Sequence, residues 1–133
     1  MTDLPVTVLL DTNFLLVPIR FGVDVFAEAE RVLNQLVDFA VTPNVLGEVE
    51  RLRSEAQPGF RSELDFALKV ASRCKVIDAE PEEGETVDNS IVRLAASRGY
   101  VVATTDAELR RRLREVGVKV LILRQKRYLQ LMG

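Results

Sequence analysis

Short apolar runs alternate with amphipathic segments along the whole chain. The runs are mostly β-branched or aliphatic and do not alternate with polar residues, which is typical of strands buried on both faces of a parallel sheet. They predict strands at Val6–Leu10, Phe39–Val41, Lys75–Ile77, Tyr100–Thr104 and Val118–Leu123.

The segments between these runs have apolar residues at helical spacing, for example Leu64, Leu68 and Ala71. Thr42 followed by Pro43 is typical of a helix start, because Thr caps the free N–H groups and Pro fits the first helical position. Strands that alternate with helices predict a βαβ series and a parallel sheet.

The length of 133 residues, with 47% hydrophobic and 29% charged residues, is that of one compact domain covering residues 1–133. No stretch approaches the roughly 18 apolar residues that a membrane span needs. The N-terminus has Asp3 and no basic residue before its apolar segment, which does not resemble a secretory signal. We therefore expect a cytoplasmic protein without membrane contact.

The residue types that the chain lacks narrow its chemistry. It contains no histidine, and Cys74 is its single cysteine. These absences exclude Ser-His-Asp and Cys-His nucleophile pairs, His-ligated or Cys-rich zinc sites and internal disulfides. Carboxylates, hydroxyls, Lys and Arg remain for catalysis, and carboxylates favour hard cations such as Mg²⁺ or Mn²⁺.

Charge is distributed unevenly. Residues 93–127 contain ten Lys or Arg and three acids, a balance of plus seven, whereas the rest of the chain carries minus nine. Such a region contacts phosphate or forms a solvated helix face, and both interpretations stay open. The pI of about 5.3 argues against tight nonspecific binding of nucleic acid. Residues 124–133 are predicted as a basic C-terminal tail.

Asp11 and Asp106 directly follow predicted strands. Ligands bind beyond the carboxyl ends of the strands in open α/β sheets, so both acids are candidates for chemistry. The structural alternatives are a turn cap for Asp11 and a helix N-cap for Asp106. Further polar side chains stand at the same strand ends: Thr12, Asn13, Thr104 and Thr105.

Asp88 is predicted to face inward from a helix. At 100° per residue it falls near Ala95, between Ile91 and Val92, while Asn89 and Ser90 are predicted to point away. A carboxylate on an apolar face is either buried at a cost or used by the protein.

Glu48 lies at the margin of another apolar helix stripe, between Val45 and Leu52. Asp11, Glu48, Asp88 and Asp106 would repel one another strongly if they were gathered without a cation. One or two Mg²⁺ or Mn²⁺ ions would resolve the repulsion, lower the pKa of a bound water and stabilise charge on a phosphate.

Four short motifs resemble the PIN domain in order and spacing across nearly the whole chain. They are Leu10-Asp11-Thr12-Asn13-Phe14; Thr42-Pro43-Asn44-Val45 leading to Glu48; Val87-Asp88-Asn89-Ser90-Ile91; and Ala103-Thr104-Thr105-Asp106 followed by Leu109. The resemblance implies a three-layer α/β/α fold with a central parallel sheet of about five strands. It also implies a Mg²⁺- or Mn²⁺-dependent nuclease that acts on RNA, with Asp11, Glu48, Asp88 and Asp106 as catalytic residues and metal ligands.

Within this family the motifs are more similar to the nucleases of small-subunit ribosomal RNA processing than to the toxins of toxin–antitoxin pairs. Asn89 departs from the processing nucleases, which tend to have a second Asp there. The implied partners are ribosomal RNA or its precursor, with ribosome assembly factors or an antitoxin. Monomer and homodimer both stay open.

The leading hypothesis is endonucleolytic RNA cleavage that leaves 5′-phosphate and 3′-hydroxyl ends, with Thr12, Asn13, Thr104 and Thr105 as polar support. Basic residues would guide the RNA backbone: Arg110, Arg111, Arg112, Arg114, Arg124, Lys126 and Arg127. The alternatives are a toxin, a catalytically silent RNA-binding assembly factor, or a phosphoaspartate enzyme with Asp11 as nucleophile. The last is disfavoured because those enzymes typically have Asp where Asn13 stands.

Overall fold

A computed structural model describes residues 4–133 and places one six-stranded sheet at their centre. The strand order is β3-β2-β1-β4-β5-β6, and neighbouring strands from β3 to β5 are parallel. The strands are β1 Val6–Leu10, β2 Val37–Val41, β3 Lys75–Val76, β4 Val101–Ala103, β5 Val120–Arg124 and β6 Tyr128–Met132.

Helices connect the parallel strands, as the alternating pattern predicts. A 3-10 helix, Thr12–Leu16, follows β1 directly. The α-helices are α1 Val17–Phe21, α2 Val25–Leu33, α3 Pro43–Glu55, α4 Pro58–Ala71, α5 Val87–Arg98 and α6 Ala107–Glu115. The predicted α/β fold with a mostly parallel central sheet is confirmed.

The core lies where the apolar runs indicated. Val8, Leu9 and Leu10 of β1 and all three residues of β4 are buried. Because β1 and β4 occupy the middle of the sheet, both their faces are covered, which explains why their sequences do not alternate with polar residues. Residues 4–133 contain no helix that is long and apolar enough to cross a membrane.

The prediction of a basic tail at residues 124–133 is wrong. Tyr128–Met132 forms β6, which pairs antiparallel with β5, and Leu129 is 2% exposed. Gln125 and Lys126 both adopt left-handed backbone conformations, with φ of 52° and 57°, and so form the tight hairpin turn. The sequence has neither Asn-Gly nor Asp-Gly at this turn, so the usual hairpin signal was missing.

Strand order places the carboxyl ends of β1 and β4 side by side at the middle of the sheet. From β1 the chain adds β2 and then β3 on one side, and β4 and then β5 on the other, so the order reverses between β1 and β4. The crevice at such a reversal is the place where open α/β sheets bind ligands. Asp11 and Thr104 are the first residues beyond these two strand ends.

Candidate active site

Asp11 is a buried carboxylate at the carboxyl end of β1. Its backbone N–H still donates to Ala103 O of β4 at 3.0 Å, so the ladder between the strands fixes its position. The residue is 4% exposed. Three donors reach the carboxylate: Thr12 N on Oδ1 at 2.8 Å, and Asn13 Nδ2 and Thr104 Oγ1 on Oδ2 at 3.1 and 2.8 Å.

Thr104 connects two of the predicted acids. Its hydroxyl donates to Asp11 Oδ2 and accepts a hydrogen bond from Asp106 N at 3.0 Å. Asn13 adds a second link, because its Oδ1 accepts from Thr105 N at 3.1 Å while its Nδ2 donates to Asp11. Asn13, Thr104 and Thr105, which the sequence suggested as polar support, thus form a hydrogen-bond network that joins the ends of β1 and β4.

The surroundings of Asp11 raise its pKa from 3.8 to about 6. Burial is the largest cause, since it disfavours the charged form, and the charges of Asp88 and Glu48 raise the pKa further. The hydrogen bonds from Thr104 and Thr12 act in the opposite direction. An acid whose charged form is unfavourable in the fold is a candidate for function, because a purely structural role would not require it.

Asp88 lies in the first turn of α5 and is half-buried. Burial raises its pKa, and Asp106 and Glu48 add to the rise, whereas the Arg112 guanidinium lowers it. Arg112 is held in place by a hydrogen bond from its Nη2 to Asn89 Oδ1 at 2.7 Å. Arg112 thus belongs to the surroundings of the acids.

Glu48 lies in the middle of α3, half-buried between the buried Val45 and Val49. Thr42 fixes the start of this helix, because its hydroxyl accepts from Val45 N at 3.2 Å. The charge of Glu48 raises the pKa of both Asp11 and Asp88, so its carboxylate faces the same region as theirs.

Asp106 is the N-cap of α6. Its Oδ1 accepts from Glu108 N at 2.8 Å and from Leu109 N at 3.1 Å. The structural interpretation of this residue is therefore correct, but it is not the whole account. The charge of Asp106 also raises the pKa of Asp88, so the cap and the electrostatic partner are one side chain.

The four acids form an electrostatically coupled group at the carboxyl edge of the sheet. Asp11 interacts with Asp88 and Glu48, and Asp88 interacts with Glu48 and Asp106. Within residues 4–133, however, no three Asp, Glu, Cys or His side chains are arranged so that they could hold a metal ion between them. The group is therefore more open than a closed ligand cage.

Buried polar atoms without a hydrogen-bond partner in residues 4–133 occur near these acids: Thr12 Oγ1, Asn44 Nδ2 and Ser90 Oγ. Thr12 follows Asp11, while Asn44 and Ser90 lie in the first turns of α3 and α5. The prediction that Ser90 points away is wrong, since this residue is 1% exposed. Packing around α5 is broader than the stripe through Ile91 and Ala95, and it covers Ser90 together with Leu94.

The predicted basic residues divide into groups. Arg111 is engaged on the exposed face of α6 with Glu108 and Glu115, which is the solvated-face interpretation. Arg124, Lys126 and Arg127 lie at the β5–β6 hairpin, whose position after the carboxyl end of β5 puts it at the same sheet edge as the acids. Arg110 and Arg114 line a cleft of about 630 Å³ along α6.

Sequence reasoning did not find Arg20 and Phe21, at the end of α1. They line a smaller cleft beside the acids, together with Asn13, Thr105 and Asp106. The sequence signal for these two residues is weak, because short helices with one Arg and one Phe are common. Their position relative to the site follows from the tertiary fold and not from any spacing in the sequence.

Comparisons with known proteins agree with the fold. A family model described as a PIN-like domain matches residues 8–126. The structure of the PIN domain endonuclease Utp24 has a TM-score of 0.78 to this chain at 23% identity and covers 96% of this chain and 91% of its own. At that identity the likeness shows a shared fold.

Curated relatives come from two groups. Ribonuclease VapC4 of Methanocaldococcus jannaschii is 29% identical over 126 residues, covering 92% of this chain and 94% of that protein. The rRNA-processing protein FCF1 homolog of Mus musculus is 30% identical over 128 residues, or 93% of this chain, and this chain spans 60% of its length. FCF1 of Saccharomyces cerevisiae is 32% identical over 115 residues, covering 84% of this chain and 56% of that protein.

The family model covers well over half of the chain. The chain therefore belongs to the PIN-like domain family.

Proposed function

We propose that this chain is an endoribonuclease that cleaves single-stranded or structured RNA and takes part in ribosomal RNA processing. Its active site consists of four acids: Asp11, Glu48, Asp88 and Asp106. The observation that carries the proposal is the coupled group of acids at the reversal of strand order, with the buried Asp11 held by three donors. The rRNA-processing relatives, at 30% and 32% identity, support the substrate class.

The donor set fits Mg²⁺ or Mn²⁺. Both are hard cations that prefer carboxylate oxygens, and Mg²⁺ usually keeps several waters while one or two carboxylates bind it directly. An open group of acids is compatible with that mode, as is the unpartnered Thr12 Oγ1 beside Asp11. When bound, a divalent cation supplies a Lewis acid for water and phosphate. Asp11 and Asp88 would hold it, because burial and the neighbouring carboxylates disfavour the charged forms of both side chains without a cation.

Other side chains have supporting roles in this proposal. Thr104 and Asn13 orient the Asp11 carboxylate, and Arg112 offsets part of the negative charge at Asp88. The basic residues of α6 and of the hairpin contact the RNA backbone, since phosphate contacts position a nucleic acid without reading its sequence. Arg111 contributes least, because its charge is already paired.

The test is cleavage of a labelled single-stranded RNA by the purified protein. We expect endonucleolytic products with 5′-phosphate ends when Mg²⁺ or Mn²⁺ is present, and none in EDTA. Asp88→Asn protein purified in the same way controls for contaminating nucleases. Cleavage that persists in EDTA, or equal cleavage by the control, would contradict the proposal.

A toxin of a toxin–antitoxin pair is the second candidate. The observation in its favour is the similarity to Ribonuclease VapC4, which is 29% identical to this chain over 126 residues. Isolation of the protein from its native cells separates the two. A small protein bound at equal stoichiometry, whose removal makes the nuclease lethal, favours the toxin, while ribosome precursors in the isolate favour processing.

Thr104→Val is expected to reduce cleavage by about 10- to 100-fold, the usual effect of losing a partner that orients a ligand. Valine keeps the shape of the side chain but removes the bonds to Asp11 Oδ2 and Asp106 N. Single-turnover rates with saturating cation measure the effect. Thr105→Val is the matched control, because Thr105 contributes its backbone N–H and its side chain is exposed. Equal cleavage rates for the two variants would mean that the Thr104 hydroxyl has no role in cleavage.

A further inference from the structure

A cleft of about 250 Å³ adjoins the acids on the side of α1 and β5. Asn13, Thr104 and Asp106 of the site line the cleft, and Phe21, Ile122 and Leu123 add apolar surface to its lining. Its volume is below the roughly 300–1,000 Å³ of pockets that enclose drug-sized ligands. It therefore has room for one small group only.

Two arginines flank this cleft and differ in their partners. Arg20 donates to Glu63 Oε1 at 2.6 Å, and its guanidinium lies 5.9 Å from the centre of the Phe60 ring, so it is held in place with part of its charge offset. The side chain of Arg110 has no hydrogen-bond or ion-pair partner among residues 4–133. Arg110 also lines the larger cleft along α6, so it stands between the two.

Phe21 supplies an accessible aromatic ring. The residue is 38% exposed although it ends a helix whose first residue, Val17, is buried. Bases of single-stranded RNA stack on such rings, while a neighbouring guanidinium binds the backbone phosphate. The cleft thus combines a stacking surface, an unpaired cation and polar groups shared with the acids.

We propose that this cleft binds a nucleotide next to the cleaved bond. The base of that nucleotide stacks on Phe21, and its phosphate contacts Arg110. The inference rests on the proposed function, because the acids define where the cleaved phosphate lies. It adds a requirement that the acids do not impose: RNA must be unpaired at that nucleotide, since a base in a duplex cannot enter the cleft. The hairpin basic residues at the same edge then contact the chain beyond it.

The test measures binding of a fluorescein-labelled RNA dodecamer by anisotropy, in the Asp11→Asn background so that the RNA stays intact. One abasic residue is moved along the dodecamer. We expect about a tenfold loss of affinity at one position, within the range for base–aromatic stacking. Phe21→Ala is expected to lose about tenfold on intact RNA and to show no further loss at that position.

Phe66→Ala is the matched control. Phe66 is also 38% exposed but lies on α4 and lines a different cleft, so its removal is expected to change neither result. Arg110→Gln is a second variant, and we expect it to weaken intact and abasic RNA equally and to reduce the salt dependence of binding by about one phosphate contact.

Two outcomes overturn the inference. One is an affinity that is the same for every abasic position, and the other is an abasic residue that weakens binding to Phe21→Ala by the same factor as it weakens binding to the parent protein. If the unaltered protein still cleaves RNA in that case, the proposed function stands and only the cleft fails. If the protein neither binds nor cleaves RNA, both proposals fail.

Discussion

Asp11→Asn is expected to abolish RNA cleavage while the protein remains folded. The substitution removes the charge of the acid that three donors hold at the end of β1. Loss of charge stabilisation worth several kcal/mol corresponds to a fall of about a thousandfold, at about 1.4 kcal/mol for each factor of ten. Single-turnover cleavage of labelled RNA measures the fall.

Asp11→Asn is also expected to be more stable than the unaltered protein above pH 6 when no divalent cation is present. The folded-state pKa of Asp11, about 6, is above the ordinary Asp value of 3.8. This side chain therefore stabilises the fold most below pH 4, and that contribution is lost as pH rises to 6, because the unfolded chain releases its proton first. The difference of about two pKa units corresponds to about 3 kcal/mol at pH 7.

Thermal unfolding in EDTA at pH 5 and pH 7.5 checks this second effect. We expect the melting temperature of the unaltered protein to fall relative to that of Asp11→Asn as pH rises. Addition of Mg²⁺ at pH 7.5 should recover part of the difference for the unaltered protein only, since binding to the folded state stabilises it. Parallel melting curves at both pH values would mean that Asp11 is not destabilising.

Leu129→Ala is expected to cost about 3 kcal/mol of unfolding free energy, a typical value for a buried Leu. Leu129 is 2% exposed and belongs to the core cluster, and its backbone N–H donates to Glu28 Oε1 at 3.0 Å, which ties β6 to α2. Urea unfolding followed by circular dichroism measures the cost.

Gln130→Ala is the control for β6, because Gln130 is exposed on the opposite face of the strand and should change the unfolding free energy by less than about 0.5 kcal/mol. Similar stabilities for the two variants would mean that residues 128–132 act as a tail and not as a strand.

The parallel strands were predictable because burial on both faces leaves continuous apolar runs, as in Val8–Leu10. The sixth strand was not, because Tyr128–Met132 has an exposed and a buried face and follows a turn of Gln125 and Lys126 that lacks the usual residues. The start of α3 was predictable from Thr42, because its side chain accepts a hydrogen bond from a backbone N–H only three residues later. Local rules thus succeeded where the partner groups were close in sequence.

The acids were predictable to different degrees. Asp11 was a candidate because it directly follows a buried strand, at the sheet edge where ligands bind, and Asp88 because a helical wheel placed it on the apolar face. The wheel failed for Ser90, since it describes one apolar stripe and α5 is covered more widely. The Arg112–Asn89 contact and the cleft beside Phe21 join distant parts of the chain, so no sequence window contains them.

Asp106 both caps a helix and belongs to the group of acids. The four acids should therefore be substituted at different rates in a lineage that no longer needs nuclease activity. Removing Asp106 would cost a helix cap, typically about 1 kcal/mol, whereas removing Asp11 would relieve a buried charge. Drift in an inactive lineage should therefore erase Asp11 early and retain Asp106. Among related sequences, Asp106 would then report on folding, and Asp11 on whether selection for cleavage persists.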